Sequence, residues 1–188
     1  MMATGHRRQS RFADFKLQPW MLKIGFAIYP PLLGANIRLE RLSGDFRFAR
    51  VAMRQRITNS SPWGVHFGGS LFAMTDSILG LMVKQNLGAG HVVWDKSATI
   101  EFRKPGRGRV WCEFHLDDSL IERIRRETQD GGKSEPVVEV LVYDTDHDIV
   151  AAVSKTLYVR KQSDAPTAAN RSNTSTAPTA SHEPGAQQ

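Results

Sequence analysis

The chain holds one cysteine, Cys112, among 188 residues. A lone cysteine excludes an intrachain disulfide framework and fits a reducing compartment, so a cytoplasmic location is expected. There is no Cys-x-x-Cys pair and no Cys/His cluster at zinc spacing, and no metal or separate cofactor is expected. No apolar run reaches the roughly 18 residues that a spanning helix needs, so no integral membrane segment is expected. Arg7, Arg8 and Arg11 make the N-terminus basic, but no apolar stretch with a cleavage site follows, and no signal peptide is expected. The net charge of +6 suits an anionic ligand. Basic residues are nowhere interleaved with aromatics in a stripe and no nucleic-acid-binding motif occurs, so nucleic acid is not an expected partner. From Gln162 to Gln188 the only hydrophobic residue is alanine, which predicts a disordered tail.

What is present fits one domain over residues 18–161, after a loose polar lead-in at 1–17; hydrophobic residues make up 40%, enough for a core. Gln18 to Leu33 is apolar and reads as a helix ended by Pro30-Pro31. Lys23 is its only charge, which favours packing across the domain over lying on a membrane. Asn36–Leu42 and Asp45–Ile57 read as strands around Ser43-Gly44, with a switch of parity near Ala49-Arg50 that predicts a β-bulge.

The stretch from Asn59 to Val83 is the most informative. A loop rich in Pro and Gly passes through His66, Gly68 and Gly69 into the longest apolar helical segment, predicted from Gly68 to Leu87 and closed by Gly88 and Gly90. Asp76 is the one acid among Leu71, Phe72, Met74, Ile78, Leu79, Leu81 and Met82. A buried unpaired carboxylate costs several kcal/mol or stays protonated, which makes Asp76 the first candidate for chemistry. Gly69, Ala73 and Gly80 share its face, leaving room for a ligand or for a close helix–sheet contact. His66 reads equally as a loop anchor bonded to backbone and as a group that positions substrate.

His91 to Lys104 is a predicted strand with Val92, Trp94, Ala98, Ile100 and Phe102 on its apolar face. By that parity Lys96 falls on the apolar face, a second misplaced charge. A basic hairpin turn follows, with Arg103, Lys104, Arg107 and Arg109. Next come a strand to Leu116, a charged helix over Asp117–Gln129, and strands over Pro136–Tyr143 and Ile149–Lys161. The acidic turn Asp144–Asp148 is not a calcium loop, because Ile149 stands where a glycine is needed. One long apolar helix among about six mostly antiparallel strands predicts an α+β fold, a curved antiparallel sheet wrapped around the helix.

The run Asn59…Gly64…His66-Phe67-Gly68-Gly69 with Asp76 seven residues on resembles the hotdog-fold acyl-CoA thioesterases. The nearest branch is similar to the phenylacetyl-CoA thioesterases. Val93–Lys96, Phe102–Gly106 and Lys155–Val159 resemble a bacterial thioesterase-like branch. The resemblance implies a hotdog fold whose subunits join as a homodimer or homotetramer, acting on a medium-chain, long-chain or aromatic acyl-CoA. It implies an oxyanion site at the Gly68 and Gly69 N–H groups, Asp76 as general base or nucleophile, and Asn59 and His66 ordering the loop or the water. The acyl chain is expected beside Met53, Phe72 and Trp94, and the coenzyme A phosphates near Lys96 or the turn with Arg103, Lys104 and Arg107. A non-catalytic hotdog protein that binds an acyl ligand, or serves only as an oligomeric interaction module, is the alternative.

Overall fold

The computed structural model describes residues 18–76 and 78–162. The expected lead-in and, apart from Gln162, the expected tail lie outside them. The apolar N-terminal stretch forms α1 (Pro19–Ile28) and a short α2 (Pro30–Gly34). Tyr29 between them is extended, at φ −68° and ψ 116°, as a residue before proline prefers, and Pro30 then opens the next helix where its missing N–H costs nothing. α1 packs by Phe26 and Leu22 but leaves Trp20, Ile24 and Ile28 exposed. It covers the domain by one face only.

Strands β1 (Ile37–Leu42) and β2 (Phe48–Arg54) follow, then a 3-10 turn at Ile57–Asn59. The predicted bulge exists, but on the other strand. Leu39 faces Val51 and Arg41 faces Arg50, so Glu40 is the extra residue and β2 stays regular, with Ala49, Val51 and Met53 inward. Ile57 is not strand; it is 97% exposed in the turn.

The predicted long helix is two segments, α3 (Gly68–Asp76) and α4 (Leu79–Leu87). Ile78, at φ −128° and ψ −26°, departs from helical geometry just before α4. Asp76 therefore ends a helix instead of lying inside one. The remaining elements are β3 (His91–Phe102), β4 (Arg109–His115), α5 (Asp118–Thr128), β5 (Lys133–Ser134), β6 (Val137–Asp144) and β7 (Ile149–Lys161).

The sheet runs β1-β2-β4-β6-β7-β3, all antiparallel, with β5 added beside β7. Its inner face supplies Val51, Val110, Cys112, Val140, Val142, Val153 and Leu157, against Leu71, Met74, Leu79, Met82 and Val83 of the central helices. Each of these large side chains contributes about 1.5–3 kcal/mol by leaving water. The core thus fixes α3 across the sheet, and with it both ends of that helix.

Candidate active site

The loop before α3 is held from within. The Asn59 side chain is buried and donates to the carbonyls of Ala35 (2.7 Å) and Arg54 (2.9 Å), while its oxygen accepts the Arg56 N–H (2.7 Å). These three bonds leave Asn59 a loop fastener with little capacity to order a water, which corrects its placement among the catalytic candidates. His66 is 3% exposed. Its backbone N–H donates to Gly106 (2.8 Å), and Nε2 lies 3.1 Å from the Gly108 carbonyl. Burial lowers its pKa below 6.5, opposed by the Gly108 bond. A neutral imidazole with Nε2–H donating to that carbonyl fits both facts, and leaves Nδ1 as a buried acceptor that no described group meets.

The Phe67 carbonyl then accepts the N–H groups of Ser70 (2.9 Å) and Leu71 (3.2 Å), starting α3. The N–H groups of Gly68 and Gly69 have no partner within that helix, as in any first turn. A Cβ on Gly68 would come within 2.9 Å of the Phe102 ring, and one on Gly69 would overlap the Phe67 ring, so both positions are closely covered by aromatics.

At the other end of α3 three charges meet. Lys155 of β7 is fully buried, and its Nζ lies 2.8 Å from Asp76 Oδ1 and 3.2 Å from Asp95 Oδ1, with the Thr75 carbonyl at 3.4 Å. The Asp76 side chain is 50% exposed and that of Asp95 29%. The approach to Asp95 is an ion contact without hydrogen-bond alignment. Burial raises the Asp95 carboxyl above 3.8; Lys155 pulls it down and the Asp76 carboxylate adds to the rise. An ammonium sealed from water needs such partners, because its desolvation costs several kcal/mol.

Asp95 reaches this cluster through a bulge. In the β3–β7 ladder Asp95 pairs with Leu157 and Ser97 with Thr156, so Lys96 is the extra residue. The faces of β3 therefore exchange at Lys96: Val93 and Asp95 point inward before it, Ala98 and Ile100 after it. Strict alternation placed Lys96 and Trp94 inward, and both placements are corrected. Lys96 is exposed and paired with Glu135 at 2.5 Å. Trp94 is 49% exposed and stacks on Tyr158 across the outer face at 4.2 Å. The expected groove of Met53, Phe72 and Trp94 does not form. Met53 is in the core on β2, with three strands between it and β3, and Phe72 packs half-buried against the core.

A cleft of about 690 Å³ lies instead at the start of α3, lined by Trp63, Phe67, Leu71 and Phe102 with the basic turn. The turn is less charged than its sequence suggests. Arg103 pairs with Glu101 (2.8 Å), and Lys104 with Asp144 and Asp148 (both 2.6 Å). Arg107 donates to the Gly64 carbonyl (2.9 Å) and has no carboxylate partner among the described residues.

Residues 19–159 match the family described as a domain of unknown function, DUF4442. The chain belongs to that family. No curated protein matches the DUF4442 chain. Among solved structures, a protein of unknown function from Pseudomonas aeruginosa, described as a probable thioesterase, matches with a TM-score of 0.70 and 21% identity, over 79% of this chain and 99% of that one. A Haemophilus influenzae thioesterase matches with a TM-score of 0.59 and 14% identity, over 79% and 94%. The Escherichia coli PaaI protein of the phenylacetic acid degradation operon matches at 0.54 and 16%, over 77% and 93%. The likeness is one of fold, and the fold is the hotdog fold expected from the sequence.

In this DUF4442 chain the site residue that sequence reasoning passed over is Lys155. A signal was present: Val153, Lys155, Leu157 and Val159 share one parity, and three of the four are core. A lysine on the buried register of a central strand needs a partner.

Proposed function

We propose that this DUF4442 protein hydrolyses acyl-CoA thioesters. The observation that carries the reading is the carboxylate of Asp76, half open to solvent with Oδ1 fixed by a buried ammonium. A carboxylate held at an accessible helix end is equipped to take a proton from water. The hotdog fold, shared with structures described as thioesterases, supports the same class.

In the reaction Asp76 accepts a proton from water, and the resulting hydroxide attacks the thioester carbonyl. The N–H groups at the start of α3, with the helix dipole behind them, hold the oxyanion. The carbon–sulfur bond breaks, and the proton on Asp76 passes to the departing coenzyme A thiolate.

One chain does not complete this arrangement. Asp76 follows Gly69 by seven residues, a rise of about 10 Å along a helix. An oxyanion donor and a water-activating base both need to lie within about 3 Å of the reacting atoms. The donors of one copy therefore work with Asp76 of a second. β3 ends the sheet, and among the described residues it pairs only with β7. Its outer edge offers a 12-residue strand to a second copy, giving a homodimer. Trp63, Phe67 and Phe102 in the cleft suit a medium-chain, long-chain or aromatic acyl group, and Arg107 suits a coenzyme A phosphate.

Thiol release from a panel of acyl-CoAs tests the reading. Wild type is expected to turn over at least one, and Asp76→Asn to lose roughly a thousandfold or more in kcat. Turnover untouched by Asp76→Asn would remove Asp76 as the base. If no acyl-CoA is cleaved while a long-chain acyl-CoA raises Tm, the protein is a binder.

A further inference from the structure

The structure assigns Lys155 and Asp95 as positioning residues for Asp76: Lys155 holds the carboxylate by its charge and hydrogen bond, and Asp95 balances the buried ammonium. The inference rests on the hydrolase reading for its kinetic test only.

Geometry comes first. Lys155 projects from β7, a strand flanked by β6 and β3, and has no contact with water. Its Nζ is 2.8 Å from Asp76 Oδ1 and 3.2 Å from Asp95 Oδ1, so it sits between the last residue of α3 and the inward face of β3. Three elements are thereby tied at one point, and the Asp76 carboxylate is held by one oxygen while half its side chain stays open.

Charge comes second. Among the described residues the ionisable groups brought to this point are Asp76 from α3, Asp95 from β3, Lys155 from β7 and Cys112 from β4. Cys112 is a thiol that burial keeps protonated. With both aspartates ionised the cluster carries one net negative charge. Removing the ammonium leaves two carboxylates side by side, and like charges at that spacing cannot both stay ionised. Asp95, already raised by burial, would take a proton first, and Asp76 would lose the attraction of the ammonium that favours its charged form. Replacing Asp95 by asparagine at the same time removes the repulsion and restores the original net charge.

A purely structural lysine would not move the acid limb when it is replaced. Thiol release is measured against pH for wild type, Lys155→Met, and Lys155→Met with Asp95→Asn. Lys155→Met is expected to move the acid limb of kcat up by about one pH unit or more with KM within about twofold. The double variant is expected to keep that shift, because the asparagine stands in for a protonated Asp95. It also removes the buried charge that would otherwise unfold the single variant, since an ion pair replaced on both sides is commonly tolerated. An acid limb that stays at the wild-type position in Lys155→Met, or in the double variant, overturns the assignment.

The carboxyl 13C signal of Asp76 provides an arm independent of turnover. Its titration midpoint is expected to rise in Lys155→Met and to stay raised in the double variant. If wild type cleaves no thioester, the hydrolase reading fails by itself and this titration decides the role of Lys155. A midpoint that does not move in Lys155→Met overturns it.

Discussion

The molecule builds one lysine with two aspartates twice, in opposite settings. Lys104 lies 2.6 Å from both Asp144 and Asp148, with Asp148 63% exposed. Lys155 lies between Asp76 and Asp95 with no exposure at all. In the surface group the hydrogen bonds to the aspartates push Lys104 up to about 12, and the bond from Lys104 lowers Asp144. In the buried group Asp95 goes up, because burial outweighs the lysine beside it. The same three side chains thus give opposite shifts in a carboxyl: Asp144 accepts hydrogen bonds from Lys104 and from the backbone N–H groups of Asp146 and Asp148, whereas Asp95 Oδ1 accepts no hydrogen bond and burial prevails. The surface group fastens the basic turn to the acidic turn between β6 and β7. The buried group spends desolvation energy to keep a charge beside an accessible carboxylate. That expense is what one expects at a working site and not at a fastening.

The sharpest way to break the comparison is truncation of each lysine. Lys155→Ala leaves two facing carboxylates and a cavity, and is expected to cost about 2–4 kcal/mol in urea unfolding, since both carboxylates can still reach some water. Lys104→Ala is expected to cost much less, because Lys104 and Asp148 are exposed and backbone N–H groups still hold the buried Asp144. Comparable losses from the two would dissolve the distinction.

The second effect is smaller and concerns sign. Asp95 has a folded pKa above 3.8, so its contribution to stability is present below 3.8 and is lost as pH rises through the folded value. Asp144 has a folded pKa below 3.8, so its contribution is present above 3.8 and is lost as pH falls through the folded value. Asp95→Asn is expected to remove a stability decrease as pH rises above 3.8, and Asp144→Asn a stability increase as pH rises toward 3.8. Unfolding measured on both sides of that pH checks both, and equal signs would contradict the burial argument.

The smallest effect lies in the cleft. Gly68→Ala pushes a methyl group against the exposed Phe102 ring, which can swing away. Folding is expected to change by less than about 1 kcal/mol, while KM for a bulky acyl-CoA rises. Crystallography or near-ultraviolet circular dichroism would show the moved ring.

Much of this was legible in the chain. Asp76 stood out because an acid among Leu71, Met74, Ile78 and Leu79 contradicts its surroundings. The alternation of β4, β6 and β7 was plain because each strand buries one face. Asp95 was illegible for a physical reason: a bulge adds one residue to one strand only, and local alternation has no mark for where the partner's register slips. The same holds for Glu40 in β1, where the irregularity was assigned to the neighbouring strand. The neutralised turn was illegible because Asp144 and Asp148 meet Lys104 only through the sheet. Asn59 entered through the family resemblance alone, and its three backbone hydrogen bonds were illegible because Ala35 and Arg54 meet it only in the fold.

Lys96 is a phase marker in β3. Pairing β3 with β7 residue for residue, with Lys96 kept and no bulge, would put Lys96 on the inward face. Keeping the half that follows in place would turn Asp95 out toward solvent and carry Trp94 into the space under the helices. Lys155 would lose one of its two counter-charges with no change to any residue it touches. In β3 the spacing of the chain, as much as its chemistry, is what reaches the buried amine.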